Sequence, residues 1–229
     1  LGRLHYEQSI PRASADPADA IDDATALDRV RKAIERFDAA LVRDPGADDA
    51  REIRYWLADS HRRLAELLAD RGGTPGERRT FELSRIAHLE TALAGYVEVI
   101  DAWGERDEAL LDRRRRAMLR NAMVNRARTT YDLGRWEAAA RLYDTVARRY
   151  ADEHVSMQAL VQIVNCYDLL GETQKAAVAH RNALLRLEQL PDAAFDAADS
   201  LMDREAWSQW LRNRPAGKVA NAGGGEGAP

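Results

Sequence analysis

This sequence of 229 residues is poor in several things at once. It has one cysteine, Cys166, so an intrachain disulfide and a cysteine-based metal cluster are both excluded. The lone thiol reads as a small, inert, partly buried hydrophobe. No apolar run approaches the length of a membrane span. Basic residues are not in excess: 34 stand against 38 acidic ones, a formal net charge of −4. That balance argues against a dedicated nucleic-acid binder, which carries a basic surplus. Lysine is almost missing, with only Lys32, Lys175 and Lys218. The arginine- and alanine-rich remainder matches the usage of a GC-rich bacterial genome. No segment alternates apolar and polar residues, so no half-buried strand is expected. Leu1 opens the chain without a methionine or a charged-then-apolar leader. The chain therefore reads as a fragment or processed product, which leaves open whether the compartment is the envelope or the cytoplasm.

What remains is a helical pattern. Hydrophobic residues make up 45% and charged residues 31% of the chain, enough apolar surface for a sizeable core. Residues 1–18 read as the end of a helix and a proline-containing linker. From 19 to 43, Ala26, Leu27, Val30, Ala33, Ile34, Phe37, Ala40 and Leu41 recur at three- and four-residue steps, which predicts an amphipathic helix. Further helices are expected over 48–70, 77–103, 107–133, 136–150, 155–170, 173–190 and 193–213. Aspartates gather at turns and helix starts, where capping accounts for them. Residues 214–229, "RPAGKVANAGGGEGAP", carry too little apolar surface to fold and are expected to be disordered.

Two stretches repeat. "YDLGRWEAAARLYDTVARRYADE" starts at Tyr131, and "YDLLGETQKAAVAHRNALLRLEQ" starts at Tyr167. Aligned on Gly134 and Gly171, they are offset by 37 residues. The offset pairs Ala139 with Ala176, Tyr143 with His180, and Val146 with Ala183. The shared rule is a small residue, a ring four later, and a small or aliphatic residue three beyond that. It recurs as Ala92, Tyr96, Val99, and as Ala33, Phe37, Ala40 followed by Pro45. A small side chain lets a neighbouring helix approach, the ring fills the gap that remains, and glycine permits the turn.

These features resemble the tetratricopeptide repeat, a helix-turn-helix unit with an Ala-x3-Phe…Pro signature. The likeness covers 122–190 best, 26–70 less well, and fades over 71–121. Where the family carries a Leu-Gly pair, this chain has Arg126 and Ala127, then Ile163 and Val164. The resemblance implies an all-α, right-handed solenoid of helix pairs over 19–213, closed by a terminal helix. It also implies a bacterial binding scaffold with a concave groove for a peptide.

The candidate groove residues follow from spacing. Asn121, Asn125 and Arg128 lie at i, i+4 and i+7 on one helix face. Adding the repeat offset gives Gln158, Gln162 and Asn165, also on one face. Amides donate and accept, so such ladders can pair with an extended backbone whatever its sequence. An ordinary wet face explains the pattern equally well, and changing Asn125 and Gln162 to Ala is then expected to spare the fold.

Other motifs read as structure. "RGGTPGERR" lacks the Gly-Lys-Ser/Thr end of a phosphate loop and reads as a connecting loop. "DRRRR" at 112–116 fans round a helix at about 100° per residue and makes no patch by itself. The five histidines lack metal-ligand spacing, and His180 takes a repeat's ring position. No nucleophile-base arrangement stands out, so no enzyme, metal or cofactor is expected. The function expected is binding a protein or peptide partner. A structural spacer, or an accessory domain of a larger enzyme or envelope protein, stays open. For the final helix, Phe195, Leu201, Met202, Trp207, Trp210 and Leu211 are expected to cover the open end. Asp196, Asp199, Asp203, Arg204 and Arg212 are expected to face water.

Overall fold

The structure, a computed structural model, describes residues 2–8, 22–46, 49–69, 71–104, 110–196, 200 and 202–214. Most of the expected linker and tail, together with Asp199 and Leu201, lie outside the described residues. Among those described there are nine α-helices and no β-strand, so the all-α expectation holds. They are α1 (Gly2–Glu7), α2 (Asp23–Arg43), α3 (Ala50–Ala69), α4 (Pro75–Gly104), α5 (Arg113–Asp132), α6 (Trp136–Arg149), α7 (His154–Leu169), α8 (Thr173–Gln189) and α9 (Arg204–Asn213). No helix among the described residues is long and apolar enough to cross a membrane.

Helix starts follow capping chemistry. Asp22, Asp112 and Asp203 each accept a hydrogen bond from the backbone N–H three residues on, at 2.8 Å. Each thereby satisfies one of the orphan donors of a helix N-terminus. This corrects two expectations. The helix expected from 107 begins only at Arg113, because Asp112 is its cap. The helix expected over 193–213 is instead a short 3-10 turn, Asp192–Ala194, followed by α9 from Arg204. The loop reading of "RGGTPGERR" also fails in part. Thr74 and Glu77 form a capping box: the Thr74 N–H donates to Glu77 Oε2 at 2.8 Å and the Glu77 N–H to Thr74 Oγ1 at 3.3 Å. Pro75 then opens the 30-residue α4 as its first residue, where a missing N–H costs nothing.

The chain divides into two compact units, 1–133 and 134–229. In the first, α3 packs against α2, α4 and α5, and α1 packs on α2. One core cluster joins Leu27 and Val30 to Leu64 and Leu68; another joins Tyr6, Ala33 and Phe37. A Cβ on Gly95 would sit 2.8 Å from that of Ala58, so glycine sets how closely α4 approaches α3. Ala92, Tyr96 and Val99 are fully buried, while Ala40 is half-buried and Pro45 exposed.

In the second unit, α6 packs on α7, α7 on α8, and α8 on α9. Ala139, Tyr143, Val146, Ala176 and Ala183 are buried at matched positions of the two aligned stretches. Gly134 and Gly171 hold φ values of 74° and 71°, the left-handed region that side chains disfavour. Met157, Val161, Ala183, Leu187, Leu190, Phe195, Trp207 and Leu211 form one cluster, with Met202 and Trp210 packed against it. The terminal segment therefore covers α7 and α8 as expected, with one correction. Arg204 is only partly exposed. It lies over the Phe195 ring, pairs with Asp192 at 2.5 Å, and donates to the Leu187 and Leu190 carbonyls at the end of α8. His180 packs and also hydrogen-bonds the Leu211 carbonyl at 2.9 Å, tying α8 to α9.

Candidate functional site

The first polar ladder runs into a buried network. Asp59, on α3, is 5% exposed and sits mid-helix. It is the exception to the expectation that aspartates serve as caps. Its carboxylate accepts from the Tyr6 hydroxyl of α1, from the Tyr96 hydroxyl of α4 at 2.7 Å, from Arg62 Nε at 3.0 Å, and from Asn125 Nδ2 of α5 at 3.1 Å. Burial first, and then the Asp59 charge, pushes the Tyr6 and Tyr96 hydroxyls well above the usual tyrosine range. Both stay protonated donors throughout the physiological range. A buried carboxylate is tolerable when one cation and several donors surround it. Arg62 supplies that cation and also pairs with Glu66.

This changes what the ladder on α5 can do. Asn125 is half-buried and turned to Asp59. Arg128 is exposed but pairs with Glu66 at 2.9 Å. Asn121 is exposed and hydrogen-bonds Tyr55. On α7, Gln158, Gln162 and Asn165 are all half-buried, and Asn165 Nδ2 donates to Gln162 Oε1 at 3.0 Å. The two rows belong to different units, so each is a separate face of its own unit.

The second unit carries an open groove of about 750 Å³ between α6 and α8, with α7 beneath. Ala140, Leu160, Ile163 and Ala179 supply its apolar floor, and Tyr167 adds a ring. Arg141, Asp144 and Arg148 of α6 face Gln174, Lys175 and Asn182 of α8 across it. Its three cations each pair with a carboxylate on their own helix or at its start: Arg141 with Glu137, Arg148 with Asp144, and Lys175 with Glu172. Such exposed pairs hold weakly and can be exchanged. Val178 projects from α8 into the groove and is 47% exposed. None of the six ladder residues lines this groove. The sequence carried one sign of it: Val178 and Leu185, seven apart, fall off the buried Ala176–Ala179–Ala183 line and are both exposed.

The remaining motifs are placed as follows. Arg114 and Arg115 of the arginine run both reach Glu52 of α3, at 2.7 and 3.4 Å. Among the described residues no group of three His, Cys, Asp or Glu is arranged to hold a metal ion. Cys166 is buried, and burial pushes its thiol up to about 12, which makes it a poor nucleophile. His61 and His88 face one another with Nδ1 atoms 2.9 Å apart. No protein-family model matches the chain, and no curated protein matches it either.

Proposed function

We propose that this chain works as a non-enzymatic helical scaffold that holds a segment of a partner protein, in a tetratricopeptide-like manner. The groove over α7 carries the reading. It has an apolar floor with a polar rim, and it leaves Val178 exposed at its edge, the anatomy of a surface that buries a partner's side chain. The paired positions Gly134/Gly171 and Ala139/Ala176 support the family likeness: the glycines share one backbone conformation and the alanines are both buried. The α7 row of Gln158, Gln162 and Asn165 is a second polar face that a partner backbone can use.

The test is affinity capture from extracts of the cells that express the gene, read by mass spectrometry. Val178→Asp places a charge on the groove and should remove the specific partner while helicity stays unchanged. Gln158→Ala with Gln162→Ala reports on the α7 face. Recovery of the same partners in equal amounts by wild type and Val178→Asp would exclude the groove as the docking surface.

A further inference from the structure

A second groove lies wholly in the first unit and has a different chemistry. It measures about 420 Å³ and is walled by α1, α2, α3 and the first turn of α5. That volume falls within the range of small-molecule sites. Two large rings, Phe37 and Trp56, stand in its wall. Four arginines line it, Arg3, Arg36, Arg43 and Arg114, against two carboxylates, Asp49 and Glu52. This cationic surplus occurs on a chain of net charge −4, so it is a local feature.

The pairing pattern shows which cations are available. Glu52 is taken by Arg114 and Arg115. Arg3 pairs with Glu7 at 2.6 Å and lies over the Trp56 ring, 5.2 Å from its centroid. Arg36 and Arg43 are exposed and make no ion pair among the described residues, leaving Asp49 as the one unpaired lining carboxylate. They stand two turns apart on α2, about 10 Å along its axis. Guanidinium side chains are long enough to converge over that span on one anion. The Trp56 indole N–H is buried and has no acceptor among the described residues.

We propose that this groove binds a small amphiphilic anion, an aromatic body bearing a carboxylate or phosphate. The anionic group sits between Arg36 and Arg43, where planar guanidinium donors match its oxygens. The aromatic body lies against Phe37 and Trp56. The site stands in the first unit and does not depend on the groove proposed for partner binding in the second, so either can fail alone.

The test uses the full chain with ¹⁵N-labelled tryptophan and follows the Trp56 indole signal, assigned among the five tryptophans by its loss in Trp56→Phe. The probes are 1-naphthyl phosphate and 2-naphthoate, with naphthalenemethanol, naphthylmethylamine and inorganic phosphate as controls. Both anionic naphthyl probes should shift the Trp56 signal saturably. Arg36→Ala with Arg43→Ala, whose fold is checked by circular dichroism, should weaken both at least tenfold. The assignment is overturned if the neutral or cationic naphthyl compound binds as tightly, which leaves only an apolar cleft. It is equally overturned if inorganic phosphate shifts the signal as strongly, if the double variant binds unchanged, or if no probe moves Trp56. A Trp56 shift that follows protein concentration alone gives the groove to a second copy of the chain. Tighter binding of an end-capped Glu-Phe-Glu peptide gives it to a protein segment instead.

Discussion

The Tyr96 hydroxyl on α4 donates to the Asp59 carboxylate on α3 at 2.7 Å, and both side chains are cut off from solvent. The bond is one of four converging on Asp59 from α1, α3, α4 and α5. Removing a donor to a buried charge costs more than the bond contributes in water, because the carboxylate stays buried and short of partners. Tyr96→Phe should lower stability by about 1–3 kcal/mol, read as a shifted urea midpoint at unchanged slope. Asn125→Ala should also destabilise, contrary to the sequence-based expectation that it spares the fold. A neutral result for both variants would show that Arg62 and Tyr6 suffice to satisfy Asp59.

The helices and their buried faces were legible because a period of 3.6 residues is a local property. Ala33 and Phe37, and Ala92, Tyr96 and Val99, could be placed inside from spacing alone, and they are buried. The Asp59 network was not legible. Three of its four partners lie 53, 37 and 66 residues away, and the periodicity of α3 gives no sign of them. The boundary errors at α5 and α9 share one cause: the spacing expects Asp112 and Asp203 inside helices, and both are caps. Both grooves depend on side chains from three or more helices, so no single stretch announces them.

Arg204 closes the end of α8 by donating to the Leu187 and Leu190 carbonyls, which have no partner further along the helix. Arg204→Ala should remove the cap and its cover over Phe195, lowering the melting temperature by several degrees. Arg204→Lys should restore little, because one ammonium cannot span two carbonyls and Asp192 in the same plane. Removing residues 191–229 should go further and produce aggregation, since Trp207 and Leu211 no longer cover Leu187. A monodisperse, fully helical 1–190 chain would refute that covering role.

Gly134 and Gly171 adopt positive φ, and a Cβ at either would meet nothing within 4 Å. Backbone conformation alone therefore requires glycine at these two positions. Gly134→Ala and Gly171→Ala should each cost about 1–2 kcal/mol, the strain of a left-handed residue. Ala139→Leu tests packing instead: Ala139 is 0% exposed, and overfilling should cost about 1–3 kcal/mol. Denaturant curves separate the cases, because Gly134→Asn should recover part of the glycine effect. Asparagine behaving no better than alanine would point to a cause other than φ.

His61 on α3 and His88 on α4 are joined end to end. Their Nδ1 atoms are 2.9 Å apart and their ring centroids 5.1 Å, close to that separation plus a ring radius on each side. The nitrogens therefore lie on the line between the rings, as an N–H···N hydrogen bond requires. One imidazole must donate and the other accept, so the acceptor is neutral, and a proton on it would set two N–H groups against each other. Burial, and then the neighbouring His88, lowers His61 to about 4; burial and the Arg31 charge lower His88. Both folded values lie below the ordinary 6.5, so the unfolded chain binds more protons as the solution is acidified. The stability this pair contributes is fully present above about pH 6.5 and is lost as pH falls toward about 4. Melting temperatures at pH 7.5, 6.0 and 5.0 should fall progressively for the wild type. His61→Leu with His88→Leu should flatten that fall. Equal slopes for the two proteins between pH 7.5 and 5.0 would assign the acid sensitivity to groups other than this pair.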